Sequence, residues 1–142
     1  MKLAEEKKLK DIPSKFDSNE ILQIVHSSVS GGHKIYFTIL KSISHSDDRE
    51  LSEWLSISEK TFRNHKTTDK VTKPSLREHA IMLISLFKHG IEIFGNQDKF
   101  KKWLKTENFY FGQKSPITFI DTASGIKFID DRLTGIEYGD NV

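Results

Sequence analysis

A short polar stretch has the residue types of a nucleic-acid contact. Arginine can bind guanine, and asparagine can bind adenine, each through two hydrogen bonds, while lysine binds phosphates. Hydroxyl side chains and the free N–H groups at the start of a helix can also hold a phosphate. The candidate DNA contacts follow one another closely along the chain: Ser58, Lys60, Thr61, Arg63, Asn64 and Lys66.

The elements around this stretch form a predicted helix-turn-helix. A helix with an apolar stripe begins at residues 46–48, and residues 56–58 interrupt it. The short helix that follows, residues 59–66, offers little more than Phe62 to a core. The first helix would hold the second, whose polar side chains could then face outward. Many helical domains contain this arrangement without touching DNA, so a purely structural role stays open.

Charge is distributed unevenly along a chain whose net charge is only +2. Residues 60–77 contain six basic side chains and one acidic one, whereas residues 117–142 contain two basic and five acidic ones. A basic middle and an acidic end favour two surfaces with different partners. A solvated helical surface would give the same pattern.

Hydrophobic periodicity predicts an all-α fold. Apolar residues recur at spacings of three and four, most regularly over residues 75–94, and we find no convincing strand pattern. Short polar side chains predict helix starts at Asp17-Ser18, at Ser46-Asp47-Asp48, at Ser58 and Asn96, and at Thr122 or Ser124. The predicted helices cover residues 17–29, 33–44, 46–55, 59–66, 75–94 and 96–104, a short segment from Ser115, and a last helix ending at Gly139; residues 30–32 end the first.

A chain of 142 residues is long enough for one ordinary domain or for two small ones that share a core. We predict a flexible N-terminal tail, disordered or weakly helical, at residues 1–16 and a helix-turn-helix domain at residues 17–74. A second helical domain is predicted at residues 75–142, and the long helix 75–94 joins the two domains.

Several classes of chemistry lack the residues they need. The chain has no cysteine, and its six histidines fit no metal-ligand spacing, so we expect them at the surface or at helix ends. The adjacent pairs Asp47-Asp48 and Asp130-Asp131 point to different sides of a helix and make poor acid–base partners. We therefore expect no enzymatic activity, no metal and no cofactor. The absence of a long apolar run or of a signal-peptide core predicts a cytoplasmic protein without a membrane span.

Three stretches together resemble a known family. They are LSEWLSISEKTFRNHK, GIEIFGNQDKFKKWLKTENFYFGQKSP and FIDTASGIKFIDDRLTGIEYG. They resemble the Xre/MbcA/ParS-type antitoxins of RES–Xre toxin–antitoxin pairs, over about four fifths of the chain. The positions that match the family pattern are Gly95, Phe100, Trp103, Leu104, Asn108, Gly112, Pro116, Asp121, Gly125, Leu133, Ile136, Glu137 and Gly139.

The resemblance implies a function without catalysis. It implies a type II antitoxin that binds a RES-domain toxin, a protein that degrades NAD, and blocks the toxin's active site with its C-terminal segment. Residues 75–142 would be the toxin-binding domain, and the helix-turn-helix of a homodimer would bind operator DNA and repress the antitoxin's own operon. The implied toxin contacts are Gly135, Glu137, Tyr138, Gly139, Asp140, Asn141 and Val142.

The sequence departs from the family pattern at three positions. Gly135 stands where the family commonly has arginine, Gln113 where a second glycine is common, and Asp140 where an apolar residue is usual. Two alternatives to the antitoxin also stay open. One is a stand-alone transcriptional regulator whose C-terminal half only dimerises, and the other is a protein-interaction module that has lost DNA binding.

Overall fold

The structure, a computed structural model, describes residues 1–27 and 32–142. Within these ranges the chain is built from α-helices and short 3-10 helices without a β-strand, which confirms the all-α prediction. The α-helices of the described residues are α1 (Leu3–Asp11), α2 (Ser18–Val25), α3 (Lys34–Ser44), α4 (Asp48–Leu55), α5 (Glu59–Thr67), α6 (Pro74–Phe94), α7 (Gln97–Leu104) and α8 (Ala123–Glu137). The 3-10 helices are Phe109–Phe111 and Pro116–Phe119.

The longest helix, α6, lies at the centre of the fold. Pro74 occupies its first turn, where a missing backbone N–H costs nothing. Every residue from Ala80 to Phe87 is buried, because α2, α3, α4, α7 and α8 pack around the helix. The buried apolar side chains therefore form one core that continues across both predicted domains. Neither α6 nor any other helix of the described ranges has both the length and the apolar character to cross a membrane.

Short polar side chains cap the helices where the sequence predicts them. Each accepts a hydrogen bond from the backbone N–H three residues later, which satisfies a group that the helix itself leaves free. The confirmed caps, with their acceptor–donor distances, are Asp17 (2.9 Å), Asp47 (2.8 Å), Ser58 (3.0 Å), Asn96 (2.9 Å) and Thr122 (3.0 Å).

The first sixteen residues differ from the expected flexible tail. Helix α1 forms there, and Ile12 just after it is buried in the core. The Lys88 ammonium donates to the carbonyl oxygens of Leu9, at 2.7 Å, and of Ile12, and so binds the end of α1 to α6. The segment is too polar to predict as structured from its own composition, because its fixing contacts come from residues far along the chain.

The predicted end of the first helix lies largely outside the described residues. Helix α2 ends at Val25 with His26 as its C-cap, so the prediction of a helix reaching Val29 is wrong at residues 26 and 27, which the structure describes. Residues 28–31, which include most of the predicted stop at residues 30–32, lie outside the described residues. Gly32 has a φ of 104°, a left-handed conformation that favours glycine.

A charged bridge connects the two predicted domains. The Glu50 carboxylate on α4 accepts hydrogen bonds from the ammonium groups of Lys101 in α7, at 2.9 Å, and of Lys105 just after α7, at 2.8 Å. Partial burial raises the pKa of Glu50, but the hydrogen bonds from the two lysines outweigh it and bring the pKa to about 2. The carboxylate therefore stays ionised at neutral pH and continues to link α4 to the end of α7.

Candidate functional site

Phe62 is the buried side chain of helix α5. Phe62 is fully buried and packs edge-on against Phe37 of α3, with their ring centroids 6.0 Å apart. The turn from α4 to α5 is tight because Ser56 adopts a left-handed conformation, with a φ of 56°. Because Phe62 faces the core, the opposite side of α5 is open to a partner.

The structure brings most of the predicted DNA contacts to that open side. Lys60, Arg63 and Asn64 are exposed, and the Arg63 guanidinium pairs with Glu59 on the same helix at 3.0 Å. The Ser58 hydroxyl is exposed but engaged, because it accepts from the Thr61 backbone N–H and donates to the Thr61 hydroxyl at 2.8 Å. The Ser58 hydroxyl is therefore already engaged in capping α5, which limits its availability to a phosphate.

Lys66 lies in a different environment from the other predicted DNA contacts. Its ammonium binds the Asp48 carboxylate of α4 at 2.8 Å and its side chain is 20% exposed. Burial raises the pKa of Asp48, but hydrogen bonds from Lys41 and Lys66 lower it further than burial raises it. Arg77, one of the basic residues counted from the sequence, is buried and donates to the carbonyl of Thr72 at 2.8 Å. The exposed positive surface is thus smaller than the residue count suggests.

At the other end of the molecule, an aromatic turn formed by the 3-10 helix Phe109–Phe111 supports α8. Phe111 contacts Trp103 edge-on at 5.9 Å and Phe128 at 4.9 Å between ring centroids. A Cβ on Gly125 would lie 1.7 Å from the carbonyl oxygen of Phe119, so only glycine permits this packing. Gly125, one of the positions that match the family pattern, thus allows the close approach of the last helix.

Four charged residues from three parts of the chain meet beside the end of α8; we call Lys15, His89, Asp130 and Glu137 the His89 cluster. The His89 ring is fully buried, with Nδ1 2.7 Å from Asp130 and Nε2 3.0 Å from Glu137. The Lys15 ammonium donates to the second oxygen of Glu137 at 2.6 Å. Burial lowers the pKa of His89, but hydrogen bonds to the two carboxylates outweigh burial and raise it. The ring is therefore held as an imidazolium that donates from both nitrogens.

The expectation that all six histidines lie at the surface or at helix ends is wrong for His89, in the middle of the buried face of α6. His33 does precede a helix, but it is also buried, and its Nδ1 accepts from the Thr72 N–H at 3.0 Å. Burial, assisted by the positive charge of Arg77, lowers the pKa of His33. In the ranges that the structure describes, no three His, Asp or Glu side chains are placed to share a metal ion.

Two departures from the family pattern meet in a single contact after α8. The Asp140 N–H donates to the Gly135 carbonyl at 3.1 Å, and the Asp140 carboxylate binds Arg132 at 3.2 Å. A Cβ on Gly135 would lie 2.7 Å from the Asp140 carboxylate and 3.3 Å from the Arg132 guanidinium. Gly135 and Asp140 are therefore matched, because the missing side chain makes room for the returning carboxylate.

The remaining predicted toxin contacts lie around this turn. Gly139 has a φ of 104°, which lets the chain reverse after the helix. Tyr138 is 79% exposed, whereas Glu137 is held in the His89 cluster. The Asn141 carbonyl accepts from Arg132, and the Val142 carbonyl accepts from the Trp103 indole N–H at 3.4 Å. The structure thus brings all seven residues to one end of the molecule.

The C-terminal part of the chain matches a known protein family. Residues 89–139 match the family model of the antitoxin Xre/MbcA/ParS C-terminal toxin-binding domain. Over these residues the chain is similar to an Xre/MbcA/ParS toxin-binding domain. The matched residues run from His89 through α7 and the aromatic turn to Gly139, so the resemblance inferred from the sequence is confirmed for this part of the chain. No curated protein matches the chain.

Residues missed by the sequence analysis support the end of the toxin-binding domain. Arg132 stacks on Tyr110, with 3.5 Å between the guanidinium carbon and the ring centroid, and also holds Asp140. Both partners lie outside α8, so the helical spacing gave no signal for these contacts. Lys15 lies outside the matched range and gave no such signal, because it meets Glu137 only through the fold.

Proposed function

We propose that the protein neutralises a RES-domain toxin, an enzyme that degrades NAD, by covering its active site with residues 135–142. The observation that carries the proposal is the match of residues 89–139 to a toxin-binding antitoxin domain. The antitoxin itself would carry out no chemistry. Its part would be to present a fixed surface to the cleft of the toxin and exclude the substrate.

The geometry after α8 supports this role for its side chains. Tyr138, the aromatic residue of the segment, is exposed, and exposed aromatic side chains are common anchors in protein interfaces. The proposed contacts are Gly135, Glu137, Tyr138, Gly139, Asp140, Asn141 and Val142. Because Arg132 and the His89 cluster hold Asp140 and Glu137, the segment would reach the toxin already ordered, which lowers the entropy cost of binding.

We further propose that α5 of a homodimer binds operator DNA and represses the operon that encodes the pair. Lys60, Arg63 and Asn64 would make the contacts, with Thr61 and the start of α5 near Ser58 close to a phosphate. Lys66 is assigned here to hold α5 against α4, since its ammonium binds Asp48. Residues 17–74 would then be the DNA-binding domain and residues 75–142 the toxin-binding domain. The match to a toxin-binding model favours this function over a stand-alone regulator.

Coexpression with the product of the adjacent gene tests the proposal. If that product is a RES-domain toxin, expressing it alone should deplete cellular NAD and stop growth, and coexpression should restore both. The two proteins should also purify as one complex. A neighbour that leaves NAD and growth unchanged when expressed alone, or that never copurifies, would contradict the antitoxin function.

A further inference from the structure

The Lys15 ammonium occupies an acidic and aromatic site at the end of α8. It donates to the Glu137 carboxylate at 2.6 Å and lies 5.9 Å from the centre of the Tyr138 ring. A carboxylate beside the face of an aromatic ring attracts a cation by two independent electrostatic interactions. The Lys15 side chain is nevertheless 45% exposed and the Tyr138 residue 79% exposed, so the site is open to solvent.

Glu137 does not depend on Lys15 for its orientation. The buried His89 ring binds its other oxygen at 3.0 Å, and Asp130 in turn holds His89 at 2.7 Å. Hydrogen bonds from Lys15 and His89 both lower the pKa of Glu137, which keeps the carboxylate ionised. If the Lys15 ammonium left, His89 would still present the free oxygen of Glu137 in the same place.

Lys15 is also separable from the segment that carries it. The segment after α1 is fixed by the buried Ile12 and by the Phe16 N–H, which donates to Asp130 at 3.1 Å. The Lys15 side chain can therefore leave Glu137 without releasing the backbone. A groove of about 540 Å³ lies beside it, lined by Lys15, Glu92, Ile93, Ile136 and Glu137, and offers room for a second long side chain.

We propose that Glu137 and Tyr138 form a recognition site for a lysine or arginine side chain of the toxin, and that Lys15 fills this site in the free protein. Lys15 is then an internal competitor that the toxin displaces on binding. With Lys15 displaced, the positive charge of His89 is outweighed by Asp130, Glu137 and the nearby Glu92, so the site keeps a negative charge that matches this partner. The assignment of the partner rests on the proposed function, whereas the cation site itself does not.

Calorimetry with the purified neighbouring toxin tests the competition. Lys15→Gln removes the competitor and should tighten binding by about two- to fivefold, the range expected for an exposed ion pair. Glu137→Gln removes the site and should weaken binding by about tenfold or more. In the Glu137→Gln background, Lys15→Gln should give no further gain. Lys15→Arg keeps a competing cation and should bind like the original protein.

Lys10→Gln is the matched control, because it removes the same charge from an exposed position at the end of α1 and should leave the affinity unchanged. The competition would be overturned if Lys15→Gln weakened binding, left it unchanged, or tightened it equally without Glu137. Thermal unfolding of each variant would show whether a change in affinity reflects loss of folded protein.

A titration without toxin separates the two proposals. N-acetyl-arginine amide at millimolar concentration should shift the NMR signals of the Tyr138 ring more strongly in Lys15→Gln than in the original protein. This stronger shift should be absent when Lys15→Gln is combined with Glu137→Gln. A cation site with this response but no toxin binding would refute the proposed function alone. Toxin binding without this response would refute the cation site alone.

Discussion

The two candidate surfaces differ in what holds their polar side chains in place. On α5 the exposed polar residues depend on neighbours in the same helix, as in the pairing of Arg63 with Glu59 at 3.0 Å. At the end of α8, Glu137 is held by His89 and Lys15, which are 48 and 122 residues away in sequence. The comparison suggests one surface that can adapt to a polyanion and another that is fixed before its partner arrives.

The largest expected effect comes from breaking the fixed surface. His89→Leu leaves the buried Asp130 carboxylate without its charged partner, which should lower the free energy of unfolding by about 3 kcal/mol. Asp131→Asn, at the next and exposed position of α8, should change it by less than about 0.5 kcal/mol. Urea unfolding measures both variants. Equal stability of His89→Leu and the original protein would show that the His89 cluster contributes no net stability.

Breaking the adaptable surface should change DNA binding and leave toxin binding intact. Arg63→Ala should weaken operator binding by about 1–2 kcal/mol if Arg63 contacts a base, and Lys60→Ala should reduce the salt dependence if Lys60 contacts a phosphate. Arg49→Ala removes an exposed arginine from α4, outside the proposed contact face, and serves as the control. Gel-shift titrations at several salt concentrations measure the effects. No binding to the promoter even at low salt would refute the DNA-binding proposal.

The smallest effect is the pH dependence of the stability that the His89 cluster contributes. The pKa of His89 is raised from 6.5 in the folded protein, so its stabilising contribution is complete below about pH 6.5 and is lost as the pH rises through the raised value. The pKa of Glu137 is lowered from 4.5, so its contribution is present above about pH 4.5 and is lost as the pH falls. Both contributions therefore coexist at mildly acidic pH.

Unfolding of the original protein and of His89→Gln between pH 6 and pH 9 tests this sign. The difference in the free energy of unfolding should shrink as the pH rises, because His89 loses its proton in the folded protein. A difference that stays constant over this range, or grows, would mean that His89 is not held as an imidazolium.

The same contrast explains which features the sequence could predict. The caps at Asp47, Ser58 and Asn96 depend on a hydrogen bond to a backbone group three residues away, and local residue types suffice to predict them. The all-α class followed from hydrophobic periodicity alone.

Long-range contacts could not be predicted in this way. The burial of His89, the order in residues 1–16 and the pairing of Lys66 with Asp48 all depend on which helices become neighbours. No periodicity in a single chain specifies such pairs of charged residues. The resemblance to a family supplied the toxin-binding assignment, but it did not supply the match between Gly135 and Asp140, which needs the geometry of the turn.

The most direct test of the central claim is inhibition of the toxin by a protein whose residues 138–142 are replaced with glycine and serine. If this segment blocks the toxin's active site, the variant should bind at least about thirtyfold more weakly and leave NAD degradation running at a concentration where the original protein stops it. Arg63→Ala, altered on the other surface, should inhibit fully. Full inhibition by the replaced variant would contradict the account.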